Sequence, residues 1–362
     1  METGPASAGR IMPEAAVEAL LSWYRINIRK LPWRDNGGAY EIWVSEIMLQ
    51  QTRTETVSAY YKRFLSELPN VQALAACPEE KLLKLWEGLG YYSRARNMQK
   101  AAKQVLEEYQ GKIPSSPEQL LCLSGIGEYT AGAIASIAYG QPCPAVDGNV
   151  LRVMSRFSGS REDITLPVVK KKMKDRLSEV IPRDKPGDFN QALMDLGAMT
   201  CVPKGEIRCG RCPLSFWCKA CEEGTARELP VKKRPRERMI EERTVLVIQD
   251  GVGTLIRKRP DKGLLAGLYE LPNVPGHLTR EEALAYVRES GLEPLKIQPL
   301  PESKHVFSHL EWRMSAYLLK VSSLASCREG NHLFVKRSER EQEYAVPSAF
   351  RAYISYMKEE TR

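Results

Sequence analysis

The chain has 362 residues, 43% of them hydrophobic, and a formal net charge of +8. That is enough apolar material for two domains of ordinary size, and it excludes a globally disordered chain. The positive balance favours an anionic partner, nucleic acid first. No apolar run reaches the length of a membrane span, and the opening METGPASAGRIMPEAA lacks an apolar secretory core, so a soluble cytoplasmic protein is expected.

In chain order, residues 13–110 alternate helix-period apolar stretches with short breaks. PEAAVEALLSWYRINI starts on Pro13, which suits a first helical position. YEIWVSEIMLQQTRTETVSAYYKRFLSEL is a second long helical pattern, interrupted near Gln50, and EEKLLKLWEGLG ends on glycines suited to a helix C-cap. DGNVLRVMSRFSG and FNQALMDLGAM continue the pattern, so residues 1–227 are expected to form an all-α domain. Residues 228–243, ELPVKKRPRERMIEER, are charged, carry two prolines and lack a core pattern, which describes a linker. TVLVIQDGVGTLIRKRP then gives two β-rich runs around a glycine turn. With the helix REEALAYVRESGL and the strand WRMSAYLLKV, it makes residues 244–362 a smaller α+β domain.

Two local features carry chemistry. In LCLSGIGEYTAGAI, Gly125 and Gly127 precede a helix without a strand before them, so a dinucleotide fingerprint is excluded. The pair is either a glycine turn between packed helices or a turn whose following backbone N–H groups receive a phosphate, as in a helix–hairpin–helix. The nine cysteines are unevenly spread. Cys77, Cys122, Cys143 and Cys327 read as scattered, buried and inert. Cys201, Cys209, Cys212 and Cys218 lie in one short loop, with Cys221 as a spare. Four thiolates so close enclose an iron–sulfur cluster or zinc. Arg208, Arg211 and Lys219, beside them, can press against phosphates, so the expected role is structural.

Taken together, LPWR (31–34), WVSEIMLQQT (43–52), EGLGYYSRARN (87–97), LSGIGEYTAGAI (123–134), AVDGNV (145–150), the cysteine loop and VFSHLEW (306–312) resemble the endonuclease III superfamily of DNA glycosylases, and within it the MutY family of adenine DNA glycosylases. The resemblance runs from about Leu31 to Cys221 and resumes in the C-terminal domain. In one respect the chain departs from it: seven residues, not six, separate the first two cysteines of the loop. It implies base excision repair in which adenine opposite 8-oxoguanine or guanine is flipped from duplex DNA and removed, leaving an abasic site. It also implies one 4Fe–4S cluster per chain on Cys201, Cys209, Cys212 and Cys218, in a monomer.

Roles follow residue by residue. Glu46 matches the catalytic acid; on a helix it shares a face with Ile42, Trp43 and Leu49, and such desolvation raises a carboxyl pKa. Asp147, a natural N-cap, matches the carboxylate that stabilises an oxocarbenium-like sugar, and Asn149 orients one of these groups or the attacking water. Tyr129 stands where bifunctional members carry a Schiff-base lysine; a phenol cannot form that adduct but can hydrogen-bond Asp147 or the sugar. Gln51 and Tyr91, with Leu89 beside the latter, match the residues that enter the base stack, and Trp33 and Arg34 match pocket residues. The C-terminal domain resembles a MutT-type Nudix fold. Its metal box is broken at Leu284, Ala285 and Arg288, so no magnesium and no Nudix hydrolysis are expected. Phe307, Ser308 and His309 match the segment that reads 8-oxoguanine. The competing readings are an endonuclease III-like glycosylase/lyase on oxidised pyrimidines, a non-enzymatic DNA-binding protein and a nucleotide pyrophosphatase.

Overall fold

The computed structural model describes residues 10–34, 37–233, 237–324 and 331–357. Cys327, residues 234–236 of the expected linker and the first nine residues lie outside them. The described residues fall into two compact units, one from 1–76 and 96–234, the other from 77–95 and 235–362.

The first unit is helical. It contains α1 (Glu14–Asn27), α2 (Ala39–Leu49), α3 (Thr54–Glu67) and α4 (Val71–Ala76). Beyond α5 (Glu79–Leu85), which belongs to the second unit, come α6 (Ser93–Tyr109), α7 (Pro117–Leu121), α8 (Glu128–Tyr139), α9 (Gly148–Ser158), α10 (Pro167–Ser178), α11 (Pro186–Met199) and the single turn α12 (Lys219–Glu222). No strand occurs among the described residues up to 233.

The local signals explain most boundaries. Pro13 is the N-cap of α1 rather than its first residue. α2 ends at Leu49 because Gln51 turns left-handed (φ 59°) before α3 begins. α5 ends at Leu85 on Trp86 in right-handed geometry, so the expected glycine cap is not used; Gly88 and Gly90 take left-handed angles in the loop beyond. α9 is closed at both ends, by the Asp147 side chain accepting from Val150 N and by left-handed Gly159. Cys77 is buried as expected, but Cys122 is exposed because it sits at the end of the short α7, and Cys143 is half-buried.

α2 is buried continuously from Ile42 to Met48, which makes it a central helix rather than an amphipathic surface one. It packs on α3 and α8, while α9 packs on α11 and α11 on α1. The α9–α11–α1 core is built from side chains such as Leu20, Val150, Phe157, Leu193 and Leu196. Close approaches need glycine at several positions, Gly132 and Gly197 among them. A Cβ on Gly132 of α8 would lie 2.4 Å from the Pro144 carbonyl oxygen, and one on Gly197 of α11 would lie 2.7 Å from Asn149 Cβ.

The second unit adds a mixed sheet to α5. Its strands are β1 (Met239–Gln249), β2 (Thr254–Lys258), β3 (Tyr269–Glu270), β4 (Asn273–Pro275), β5 (Pro294–Val306), β6 (Leu310–Val321) and β7 (His332–Val335), in the order β3-β2-β1-β6-β5, with β4 on β1 and β7 on β2. The β1–β2 turn is tied by Asp250, whose Oδ1 accepts from Val252 N and Gly253 N. β1 runs parallel to β6 from Met239↔Leu310 to Gln249↔Lys320. Its apolar run is buried on both faces: Val245 and Val247 belong to one buried cluster with Trp312 and Phe350, whereas Leu246 and Ile248 belong to another with Ala283 and Val287. Ala283 and Val287 come from α13 (Arg280–Glu289), which opens with a Thr279–Glu282 capping box. α14 (Arg337–Gln342) and α15 (Arg351–Ile354) complete the unit. The all-α and α+β fold classes expected from the sequence are both present, but not with the expected bounds: residues 77–95 group with the sheet rather than with the rest of 1–227, and β1 starts at Met239, inside the expected 228–243 linker. Among the described residues no helix is long and apolar enough to cross a membrane.

Because the group facing Gly132 is backbone that cannot rotate away, Gly132→Ala is expected to cost roughly 1–3 kcal/mol. A lower denaturation midpoint by circular dichroism checks this.

Candidate active site and cysteine loop

Glu46 comes from the buried stretch of α2 and is 5% exposed. Burial pushes its carboxyl from 4.5 up to about 7. A hydrogen bond from the Tyr129 hydroxyl to Oε2 pulls the other way, the negative charge of Asp147 adds to the rise, and Arg34 offsets part of it. Tyr129, in the first turn of α8, is itself pushed well above the phenol range by burial and by both carboxylates, so it stays a donor. Its oxygen also lies 3.8 Å from Met194 Sδ. The sequence left Asp147 or the sugar open as partners for Tyr129; of the two carboxylates, its hydroxyl donates to Glu46 and not to Asp147. α8 packs directly on α2, and Asp147 accepts from other donors: Oδ1 from Val150 N and Oδ2 from Asn149 Nδ2, both at 2.7 Å.

Glu46, Tyr129, Asp147 and Asn149 line one cavity of about 650 Å³. That size suits a small-molecule site. Trp33, Arg34 and Gln51 line it too, so seven of the residues singled out in the sequence converge on one place. Gly125 and Gly127 do not line it; they form the exposed α7–α8 turn. Gly125 is left-handed (φ 78°), and a Cβ there would lie 2.6 Å from Asn97 Cβ. Gly127 caps α8 with no side chain.

Several contributors escaped the sequence reading. Asp195, fully buried on α11, holds two arginines of the cavity wall: Arg34 in a fork (Nη1–Oδ2 2.7 Å, Nη2–Oδ1 3.0 Å) and Arg29 through Nε to Oδ1 at 2.7 Å. One carboxylate against two guanidiniums leaves the wall with a net positive charge. Lys170 and Lys232 also line the cavity. Gln191, one turn before Asp195, and Met194, next to it, do so as well. A polar residue every few positions in FNQALMDLGAM was the available signal.

Behind Asp147 runs a buried chain of hydrogen bonds. Asn149 Oδ1 accepts from Arg152 Nη2 at 2.9 Å, and the same guanidinium donates to Gly197 O at 2.7 Å and to Cys201 O at 2.9 Å. Arg156, one turn on, donates to Cys201 O and Sγ, both at 3.2 Å, and to Val202 O at 3.0 Å. This is where the cysteine loop begins. Cys201, Cys209, Cys212, Cys218 and Cys221 all line a second, small cavity with Arg156. Among the described residues no three such side chains converge tightly enough for a single ion.

In the second unit, Phe307 opens the β5–β6 turn, its N donating to Leu310 O at 2.8 Å. Its ring stands edge-on to His305 and Trp312, at 4.6 and 5.0 Å between centroids, and Ser308 and His309 are exposed at the tip.

Comparison with known proteins places these features. Residues 44–182 match the HhH-GPD superfamily of base excision DNA repair proteins, and residues 244–356 match the NUDIX domain. The class is thus a helix–hairpin–helix repair protein carrying a Nudix-type domain. Adenine DNA glycosylase of Mus musculus is 37% identical over 83% of this chain and 70% of its own length. Adenine DNA glycosylase of Buchnera aphidicola subsp. Schizaphis graminum is 34% identical over 84% of this chain and 87% of its own. The structure of a thermostable thymine-DNA glycosylase superposes with a TM-score of 0.53 at 28% identity, over 57% of this chain and 95% of that one. The chain belongs to the adenine DNA glycosylase family.

The raised Glu46 pKa has a stability consequence. Between about pH 4.5 and about 7 the folded protein keeps a proton that the unfolded chain releases, so Glu46 makes stability fall as pH rises through that window. Glu46→Gln is expected to remove about 2–3 kcal/mol of this dependence and to gain on the wild type at pH 8 relative to pH 4.5. Urea titrations at the two pH values check it.

Proposed function

We propose that the chain hydrolyses the N-glycosidic bond of adenine paired with 8-oxoguanine or guanine in duplex DNA and stops at the abasic site. The observation that carries the reading is two buried carboxyl groups lining one cavity with different partners. Burial raises both pKa values: Glu46, with one phenol donor, retains its proton up to about pH 7, whereas the rise at Asp147 is opposed by hydrogen bonds from Val150 N and Asn149 and by the charge of Arg152, all of which favour its charged form. Adenine is a poor leaving group until a ring nitrogen is protonated, and Glu46 is the donor. Breaking the C1′–N9 bond leaves positive charge on the sugar beside the Asp147 carboxylate. Water then adds at C1′ and its proton returns to Glu46; the net reaction consumes one water and releases adenine. Tyr129 holds the Glu46 carboxyl in place, and Asn149 holds Asp147.

On the same reading Gln51 and Tyr91 enter the base stack, with Leu89 beside Tyr91, and the Gly125–Gly127 turn takes a DNA phosphate. Trp33 and Arg34 border the flipped base, and Phe307, Ser308 and His309 read the lesion. Cys201, Cys209, Cys212 and Cys218 hold a 4Fe–4S cluster. The all-sulfur donor set around one cavity is chemistry that suits an iron–sulfur cluster or zinc, and the resemblance to the endonuclease III superfamily favours the cluster. Such a cluster would fix the loop so that Arg208, Arg211 and Lys219 face the phosphates.

The deciding experiment uses duplexes with adenine opposite 8-oxoguanine, adenine opposite guanine, and a thymine glycol. Breaks at adenine are expected only after alkali. Because Lys170 and Lys232 line the cavity, breaks without alkali would assign the chain to the lyases instead. Single-turnover excision is expected to fall tenfold per pH step above about pH 7, since only protonated Glu46 reacts, and to fall again in acid as Asp147, raised by burial, takes up a proton. Glu46→Gln is expected to lose excision and retain duplex binding. For the cluster, the purified protein is expected to absorb near about 400 nm and to lose the band in Cys209→Ser; zinc would give none.

A further inference from the structure

Residues 77–95 belong to the second unit although their chain neighbours on either side belong to the first. What attaches α5 there is specific. Lys84 Nζ lies 2.6 Å from Glu87 Oε2, 2.9 Å from Arg340 O and 3.0 Å from Tyr344 O, which occupies all three ammonium protons. Glu87 uses its other oxygen, Oε1, to accept from Val346 N at 2.8 Å. The pair is mostly buried, with 14% and 23% of the two side chains exposed. It thus clasps three main-chain groups in and just beyond α14. At the start of α5, Glu80 Oε1 accepts from Lys258 Nζ at 2.9 Å and from the Tyr269 hydroxyl at 3.1 Å, on β2 and β3.

The loop beyond is wound tightly onto this anchored helix. The buried Trp86 indole donates to Gly90 O at 3.1 Å, and Arg94 Nη2 donates to Leu89 O and Gly90 O, each at 3.0 Å. The Arg94 guanidinium covers the rings of Trp86 and Tyr91, at 5.4 and 5.8 Å. Gly88, Gly90 and Tyr91 take φ of 100°, 70° and 46°. Tyr91 pays for a conformation that tyrosine disfavours and is left 48% exposed by it. A strained, solvent-facing aromatic on a loop fixed by main-chain hydrogen bonds is a pre-set wedge, and its footing is the unit that carries Phe307, Ser308 and His309.

We propose that Lys84 and Glu87 are positioning residues that fix the Tyr91 wedge to the lesion-reading unit. Opening of the stack and inspection of the base opposite adenine are then mechanically one operation. The inference rests on the reading of Tyr91 as a stack-entering residue. Weakening the clasp leaves the Glu46 chemistry intact but loosens the wedge, so the step that suffers is base extrusion.

The test uses the full chain and a duplex with 2-aminopurine beside adenine opposite 8-oxoguanine, reading the fluorescence rise on binding and the single-turnover excision rate. Lys84→Met and Glu87→Leu are each expected to lose most of the fluorescence rise and about tenfold in rate, with the pH midpoint of excision unmoved. Glu87→Gln, whose amide oxygen still accepts from Val346 N but whose NH2 then faces the Lys84 ammonium, is expected to lose clearly less of both than Glu87→Leu. Should Lys84→Met fail to fold by circular dichroism, the two Glu87 variants decide. A wild-type rise and rate in Glu87→Leu overturns the proposal, as does an equal loss in Glu87→Gln. Tyr91→Ala serves as the control. If it loses the rise while the clasp variants keep it, the wedge reading stands and the clasp fails; if it too keeps the rise, the wedge reading fails and the inference with it.

Discussion

A carboxyl group inside hydrocarbon is tolerated when it keeps its proton or finds a donor, and Glu46 does both. α2 is buried through the whole stretch around Glu46, which leaves the side chain 5% exposed and its charge poorly solvated. The Tyr129 hydroxyl supplies one hydrogen bond, and desolvation still outweighs it, leaving the group poised near neutrality. The rest of the first unit can be read as what keeps this arrangement in place. α8 packs on α2 to bring the phenol, and the Gly132 approach seats α8 against the segment that leads to Asp147. Asp147 then caps its own helix, a position that limits its rotation.

The same economy of partners governs the buried cations. Arg152 and Arg156 are 6% and 4% exposed, yet almost all their contacts are to main-chain carbonyls rather than to acids. A guanidinium satisfied that way keeps its charge and orders whatever backbone it touches. Here it touches the Cys201 carbonyl twice, once from each arginine, and reaches Asn149 at the other end. The cysteine loop and the Asp147 side of the cavity are therefore held by a common set of hydrogen bonds. Asp195 works in the opposite sense, as a buried acid with two arginines, and fixes a positive wall where an anionic nucleic acid would approach.

The sequence disclosed the fold where its periodicity changed. Helix-period stretches stop before residue 228 and strand-like runs start at Thr244, and that is enough to separate an all-α from an α+β part. It disclosed the candidate site wherever a residue sits in a short motif, which is why Glu46, Tyr129, Asp147, Asn149, Trp33, Arg34 and Gln51 were named together and line one cavity. It did not disclose partners that depend on packing. The bond from Tyr129 goes to Glu46 and not to Asp147 because of how α8 lies on α2, and no spacing encodes that. The Asp195–Arg34 fork joins residues 161 apart in the chain, and only the fold brings them together.

Assignment of residues 77–95 to the second unit shows the same limit at larger scale. Locally EEKLLKLWEGLGYY reads as one more helix and turn in a helical series. Its attachment is made by Lys84 and Glu87 to main-chain groups more than 250 residues away, as their separations of 256 and 259 record. Main-chain acceptors and donors exist at every position, so neither partner leaves a mark in the sequence. Backbone strain is equally silent: of the four non-glycine residues with positive φ among those described, two are Gln51 and Tyr91, the pair expected to enter the base stack. Each is in a different unit, and each is held against its own preference by the loop around it. Strain of that kind persists only where the surroundings over-determine it, which makes it an argument for function independent of the motif that first drew attention to these two side chains.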